Sequence, residues 1–569
     1  MSKEDAFLHH ENNRPFFSKG FFSSIKNVNT FQVILLCLTF FAMHFMLLIN
    51  RGVYWDGHIT LRFIKNGDFN SIWWISSQMG RYDGSFIVAF IASFPDPILA
   101  FKIITFVSIL SGALAIFYAL KNLFKFDIFT AYLGFCLFST LPLYNLTPEL
   151  CLVSSHINIG LFLVGNLCAG YYFSKDSSYP YLLLSALCLF ISFATTSLIV
   201  LEFPVIVLIS ICVYKKRSKL ISFMLFCSIP AIRFLLREKP TGIYYDYNRI
   251  NLKASEIVMY MQNTIKAILS YSFHFIRIRI TDSDFYLSSA IGIFGILVLL
   301  FGLRFFYKNR NRKESLLSRK YSVFLIMISV VSAFCAIFPY VVVDKAPYPY
   351  DFHIRHSLPL GCVVPFFFIA VRSLFYSFLK SNFLQKVIDT CMSVAVIVFL
   401  ITCTWSYIQW DYDWYKQLAL RNTLKSKYEP LDNCDVALFK DLSGFRNQND
   451  RIYRFYDWAS ILIEAINSER ILVAAERDEF QGKMDMLYKS NKNQRNAFLK
   501  YLLASDYTGG ERYCTVSIYS LRPHTPGLTD YLTLKYSELF DHQKFDRLVN
   551  GWFTANIARS SELPFRVKS

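Results

Sequence analysis

Long uncharged apolar runs recur through the first 409 residues of this 569-residue chain, and they decide what it can fold into. A helix needs about 20 apolar residues to cross the hydrocarbon of a bilayer, and only a helix or a closed barrel satisfies its own backbone there. The runs fall at Phe31–Asn50, Pro97–Leu120, Ile128–Tyr144, Ile157–Phe173, Pro180–Thr196, Leu198–Tyr214, Leu220–Arg233, Phe285–Tyr307, Tyr321–Val343, Leu358–Phe378 and Val387–Ile408. They predict a polytopic α-helical membrane protein of about 11 spans.

Charge sets the orientation. The formal net charge is +18, and Lys and Arg crowd the short turns that hydropathy assigns to one side, above all Lys215-Lys216-Arg217 and the stretch that starts at Lys308. That is the positive-inside pattern, so the excess reads as topology and contact with phosphate lipids, and nucleic acid is excluded as a partner. Residues 1–30 are polar and basic and should stay in the cytoplasm, with the first run an uncleaved anchor. The outer face then receives three loops, 51–96, 237–284 and 344–357. In the first, Phe86–Phe94 reads as a juxtamembrane helix; the middle of the second has the spacing of an amphipathic helix.

An odd number of spans puts the C-terminal part, 410–569, outside. There 23 Lys and Arg face 21 Asp and Glu, the balance of a soluble domain, with helical spacing over Tyr453–Ile466 and strand patterns at Ile471–Ala475 and Cys514–Leu521. A small α/β extracytoplasmic domain is expected. Of 13 Cys, only Cys434 and Cys514 lie in this polar part, and an oxidising compartment would allow them to pair. No cysteine or histidine cluster has the spacing of a metal site.

Chemistry concentrates in the outer loops. The first carries Trp55, Asp56, Arg81, Tyr82 and Asp83; the turn after the third run carries Glu149; the last loop carries Tyr348, Arg355 and His356. A carboxylate that accepts a hydroxyl proton, cations that stabilise a departing phosphate, and aromatic faces for sugar rings are what sugar transfer from a lipid phosphate requires. Each residue also has a plainer reading. Asp56 precedes a short helical pattern and Asp83 precedes Gly84, so both suit helix capping; Glu149 and Arg355 suit the membrane boundary; His44, within the first run, suits a satisfied polar contact.

The acid after the first span in Tyr54-Trp55-Asp56-Gly57, the Gly80-Arg81 before a juxtamembrane helix, the late loop with Pro339-Tyr340 and Arg355-His356, and the terminal outer domain resemble the GT-C class of membrane glycosyltransferases, bacterial enzymes that modify O-antigen and other surface glycans. The resemblance implies a polyprenyl-phosphate sugar donor, a glycan or lipid-linked glycan acceptor, and an inverting reaction at the periplasmic face of the inner membrane. It also implies a flippase and a donor synthase as partners. It makes Asp56 the catalytic base and Arg81, Arg355 and His356 the donor-phosphate ligands, with Trp55, Tyr82, Asp83, Glu149 and Tyr348 near the sugars. Gly57 stands where the commoner pattern has a second acid, so no metal cofactor is expected. The alternatives are an O-antigen polymerase or ligase, whose soluble part sits between spans, and a lipid-linked oligosaccharide transporter, which would carry more charge within its spans.

Overall fold

A computed structural model describes residues 29–80, 82–141, 147–174, 178–195, 197–214, 217–237, 283–310, 319–343, 345, 352–379, 381–444, 452–475, 492–509, 512–521 and 528–560, with isolated positions between 255 and 266. Arg81, Tyr348 and almost all of the second outer loop, with its expected amphipathic helix, lie outside the described residues.

The chain forms a helical membrane protein. Helix α1 (Thr30–Ile49) is followed by three short helices, α2 (Gly57–Lys65), α3 (Phe69–Met79) and α4 (Tyr82–Ala92), then α5 (Pro97–Tyr118), which widens into a π turn at Ala119–Leu123. Next come α6 (Ile128–Thr140), a 3-10 turn (Leu150–Leu152), α7 (Val153–Ser174), α8 (Tyr179–Ser192), α9 (Ser197–Tyr214) and α10 (Leu220–Leu235). Helices α11 (Ser283–Ile291), α12 (Ile293–Lys308) and α13 (Arg319–Val341) follow, then a 3-10 segment (Phe352–Cys362), α14 (Val364–Phe378) and α15 (Asn382–Lys425).

Among the described residues five helices are long and apolar enough to cross a membrane, those beginning at Thr30, Pro97, Leu150, Arg319 and Asn382, and the bent pair Arg355–Cys362 with Val364–Phe378 makes a sixth. Others are shorter than their apolar runs. The run expected to span Ile128–Tyr144 is helical for 13 residues, every one of them buried. A helix apolar all round sits inside a protein, and α6 is enclosed by its neighbours. Close approach is bought by small residues: a Cβ on Gly160 of α7 would lie 2.6 Å from the Ser108 carbonyl oxygen of α5.

The long helix α15 joins two parts. Its 44 residues give a rod of about 66 Å, more than twice the hydrocarbon thickness. The expected domain boundary at 409/410 therefore falls inside an unbroken helix. Beyond it lie α16 (Tyr428–Asp432), β1 (Val436–Asp441), α17 (Phe455–Ile466), β2 (Leu472–Ala474), α18 (Lys492–Tyr501), β3 (Tyr513–Ser520), α19 (Leu528–Phe540), α20 (His542–Val549) and β4 (Phe553–Ser560). The strands make one sheet in the order β2-β1-β3-β4, with β1 parallel to β2 and β3, and β4 antiparallel to β3. The three expected elements here are present, with ends shifted by up to two residues. Cys434 and Cys514 form a disulfide, with Cα atoms 5.8 Å apart.

Candidate functional site

The ends of several helices meet the C-terminal part, and the first polar loop is held between them. Asn50 caps α1 and donates to Asp411 of α15 (2.8 Å), while the Tyr54 hydroxyl donates to the Trp410 carbonyl (2.7 Å). Trp55 takes φ +51°, a left-handed conformation that costs a bulky residue about 1–3 kcal/mol and persists only where its surroundings enforce it. Here they do: the Trp55 N–H donates to Asp457 of α17 (3.1 Å), its ring packs on Trp410 at 5.3 Å, and Asp457 also lies 3.9 Å from His58. The Trp55 side chain is thus a core residue. The strained turn delivers Asp56 at the start of α2.

Asp56 stands in the N-cap position, yet its carboxylate makes no capping bond. The plain capping reading is not realised by this half-buried side chain. Glu149, fully buried, accepts from the Cys151 N–H (3.2 Å), and a Cβ on Gly57 would come within 3.1 Å of its Oε1. Glu149 therefore lies against the backbone next to Asp56. Asp56, Glu149 and Arg355 are all near enough to Cys151 for their charges to act on it. Residues almost three hundred positions apart share one locus at this end of the bundle.

Arg355 lies in the first part of the 3-10 segment that leads into α14. Its Nε faces the His356 imidazole at 3.5 Å; the buried His356 lies against Tyr340 (4.4 Å), whose hydroxyl bonds Ser197 at the start of α9 (2.8 Å). Lys345 stands close enough to feel the Arg355 charge; burial first, and then that guanidinium, bring its ammonium down to about 7. Two cations pressed together and partly desolvated form a place for an anion. Lys345 was not singled out in the sequence, where a Lys in a Pro- and Tyr-rich loop has no distinguishing pattern. Below Glu149, the buried Lys102 donates to the Pro148 carbonyl and to Asn50 Oδ1 (3.3 Å). A lone lysine in an apolar run was the signal for it.

Tyr82 and Asp83 lie in the first turn of α4, where the Tyr82 ring rests on Trp73 of α3 at 5.1 Å. The helix expected at Phe86–Phe94 starts earlier, at Tyr82, and exposes Phe86 and Phe90 as an interfacial helix should. His44 is a satisfied contact, bonded to the Tyr407 hydroxyl (2.7 Å) and the Ser139 carbonyl (3.0 Å). No group of three or more metal-ligating side chains occurs among the described residues.

An apolar cavity of about 150 Å³ opens between α5, α7, α9, α13 and α14, with Asn166, Leu201 and Phe366 in its wall. It reaches Cys362 and Val363, at the end of the segment that holds Arg355.

Fold and locus together define a polytopic helical membrane protein with a mixed carboxylate and cation site at the end of the bundle that carries the disulfide-bonded α/β part. No protein-family model matches the chain, and neither a characterised protein nor a solved structure is detectably similar to it.

Proposed function

We propose that the protein is a GT-C-like inverting glycosyltransferase of about 11 spans, which transfers a sugar from a polyprenyl-phosphate donor to O-antigen or another envelope glycan at the periplasmic face of a bacterial inner membrane. The observation that supports the reading is that Asp56, Glu149 and Arg355 all lie within electrostatic reach of Cys151, and Lys345 within electrostatic reach of Arg355. The disulfide supports an oxidising compartment for that end of the molecule.

In this mechanism the Asp56 carboxylate takes the proton of the acceptor hydroxyl. The freed oxygen forms a bond to the anomeric carbon as the bond from that carbon to the phosphate oxygen breaks. The polyprenyl phosphate leaves with the electron pair, and Arg355 and Lys345 balance its charge. No general acid is needed, because the leaving phosphate is stable as an anion. Glu149 caps its own 3-10 turn beside Gly57, and the apolar cavity that reaches Cys362 and Val363 suits part of an isoprenoid chain.

The test is transfer from defined polyprenyl-phosphate sugars by the purified protein in vesicles. Asp56→Asn should lower the rate by about 10²–10⁴-fold, the usual weight of a general base, with expression unchanged. Full activity in that variant removes Asp56 from the mechanism, and flipping of the lipid without any covalent product favours a transporter.

A further inference from the structure

The inward face of α19 is fastened to the place where the spans end. Asp411 accepts from the Tyr531 hydroxyl (2.6 Å), from Lys535 Nζ (2.9 Å) and from Asn50 Nδ2 (2.8 Å), and Asn50 caps the outer end of α1. Lys535 also donates to Glu538 (2.9 Å) and is near enough to interact with Lys102, which lies in the second turn of α5. This helix is therefore pinned within about one helix diameter, 10 Å, of the level at which α1 emerges.

Its opposite face is apolar. Leu528, Leu532, Tyr536 and Phe540, spaced by four, are 38%, 52%, 59% and 72% exposed, and the rings of Tyr536 and Phe540 lie 5.2 Å apart. Residues four apart form one stripe along a helix, and a contiguous apolar stripe on a part otherwise charged and soluble marks a contact surface. The stripe lies beside the ends of the spans, and an aromatic pair with one hydroxyl suits the zone between headgroups and chains.

We infer that the stripe of α19 rests on the outer leaflet of the bilayer that α1 and α5 cross, so that the C-terminal part is held to lipid as well as to α15. The α4 helix, with Phe86 and Phe90 exposed at the same end, supplies a second such contact, and the two would fix the height of the α/β part above the membrane. This inference rests on the membrane reading alone and is independent of sugar transfer.

The experiment uses the full chain in vesicles of phosphatidylethanolamine and phosphatidylglycerol, with the photoreactive residue benzoylphenylalanine placed singly at 532, 536 or 512. Arg512 is exposed on the α/β part and has no place in the stripe. Retention of the Cys434–Cys514 disulfide on non-reducing gels establishes that each variant is folded. Phospholipid adducts at 532 and 536 and none at 512 are expected. Adducts at 532 and 536 to a second copy or to another protein, or no lipid adduct in the folded chain, overturn the inference.

Discussion

At the residue scale, Asp56 stood out in the sequence as an acid just after the first apolar run, where helix capping was the plainer reading, and its side chain makes no capping bond. What holds it was not legible. The left-handed Trp55 and the Asp457 carboxylate that enforces it are separated by 402 positions, and no local pattern announces such a pair. Lys345 was hidden for the same reason, since its cationic neighbour arrives only with the fold. Its ammonium, brought down to about 7 by burial and by Arg355, yields a pH dependence. Below that value Lys345 is charged and helps bind an anion; above it the charge is lost. Donor affinity is therefore expected to weaken between pH 6 and pH 8, measured by titration with a polyprenyl phosphate. Lys345→Arg should bind with a flat profile over that range, because a guanidinium keeps its charge; an unchanged slope in this variant assigns the titration elsewhere.

At the element scale, the apolar runs foretold where helices lie but not which helices are long. Hydropathy counts residues without knowing what surrounds them, so the enclosed α6 and a spanning helix look alike. The expected boundary at 409/410 has no break in secondary structure to mark it, because α15 runs on through it as one helix. The sequence reading did not find β1 and β4. β1 lies between two parallel neighbours with its three buried residues, Val436, Ala437 and Phe439, not in strict alternation, so it lacks the pattern that reveals a half-exposed strand.

Two buried ionic clusters pin these elements. Toward the N-terminal end of α15, Asp389 accepts from Arg372 (2.8 Å) and Arg310 (2.7 Å), and Arg372 also donates to Thr130 of α6 (2.7 Å). Further along the same helix, Asp411 holds Lys535 together with Glu538; burial works against the Lys535 ammonium, but these carboxylates outweigh it and keep it above its ordinary value. Removing one partner of a buried ionic cluster costs about 3–5 kcal/mol, because the other charges are left uncompensated. Thermal unfolding in detergent should show Lys535→Met destabilised on that scale, since Asp411 and Glu538 lose their shared cation. The triple variant Asp411→Leu, Lys535→Met and Glu538→Leu should regain most of the loss, and a triple variant no better than the single denies that the penalty is the stranded charge.

At the scale of the whole molecule, a membrane bundle and a disulfide-bonded α/β part share one apolar core that runs from Met46 and Trp55 through Trp410 to Trp458. The disulfide closes a separation of 80 residues, and its removal in Cys434→Ser with Cys514→Ser is expected to cost about 2–5 kcal/mol, read as a lower melting temperature of the α/β part. The strongest claim is that Asp56 and Arg355 act as one site on a lipid phosphate. A cryo-EM map of the Asp56→Asn protein with a bound polyprenyl-phosphate sugar tests it most directly. The phosphate is predicted between Arg355 and Lys345, with the anomeric carbon turned toward residue 56. A donor held at the opposite end of the bundle, near Arg310 and Arg372, or one whose sugar faces away from residue 56, contradicts the account.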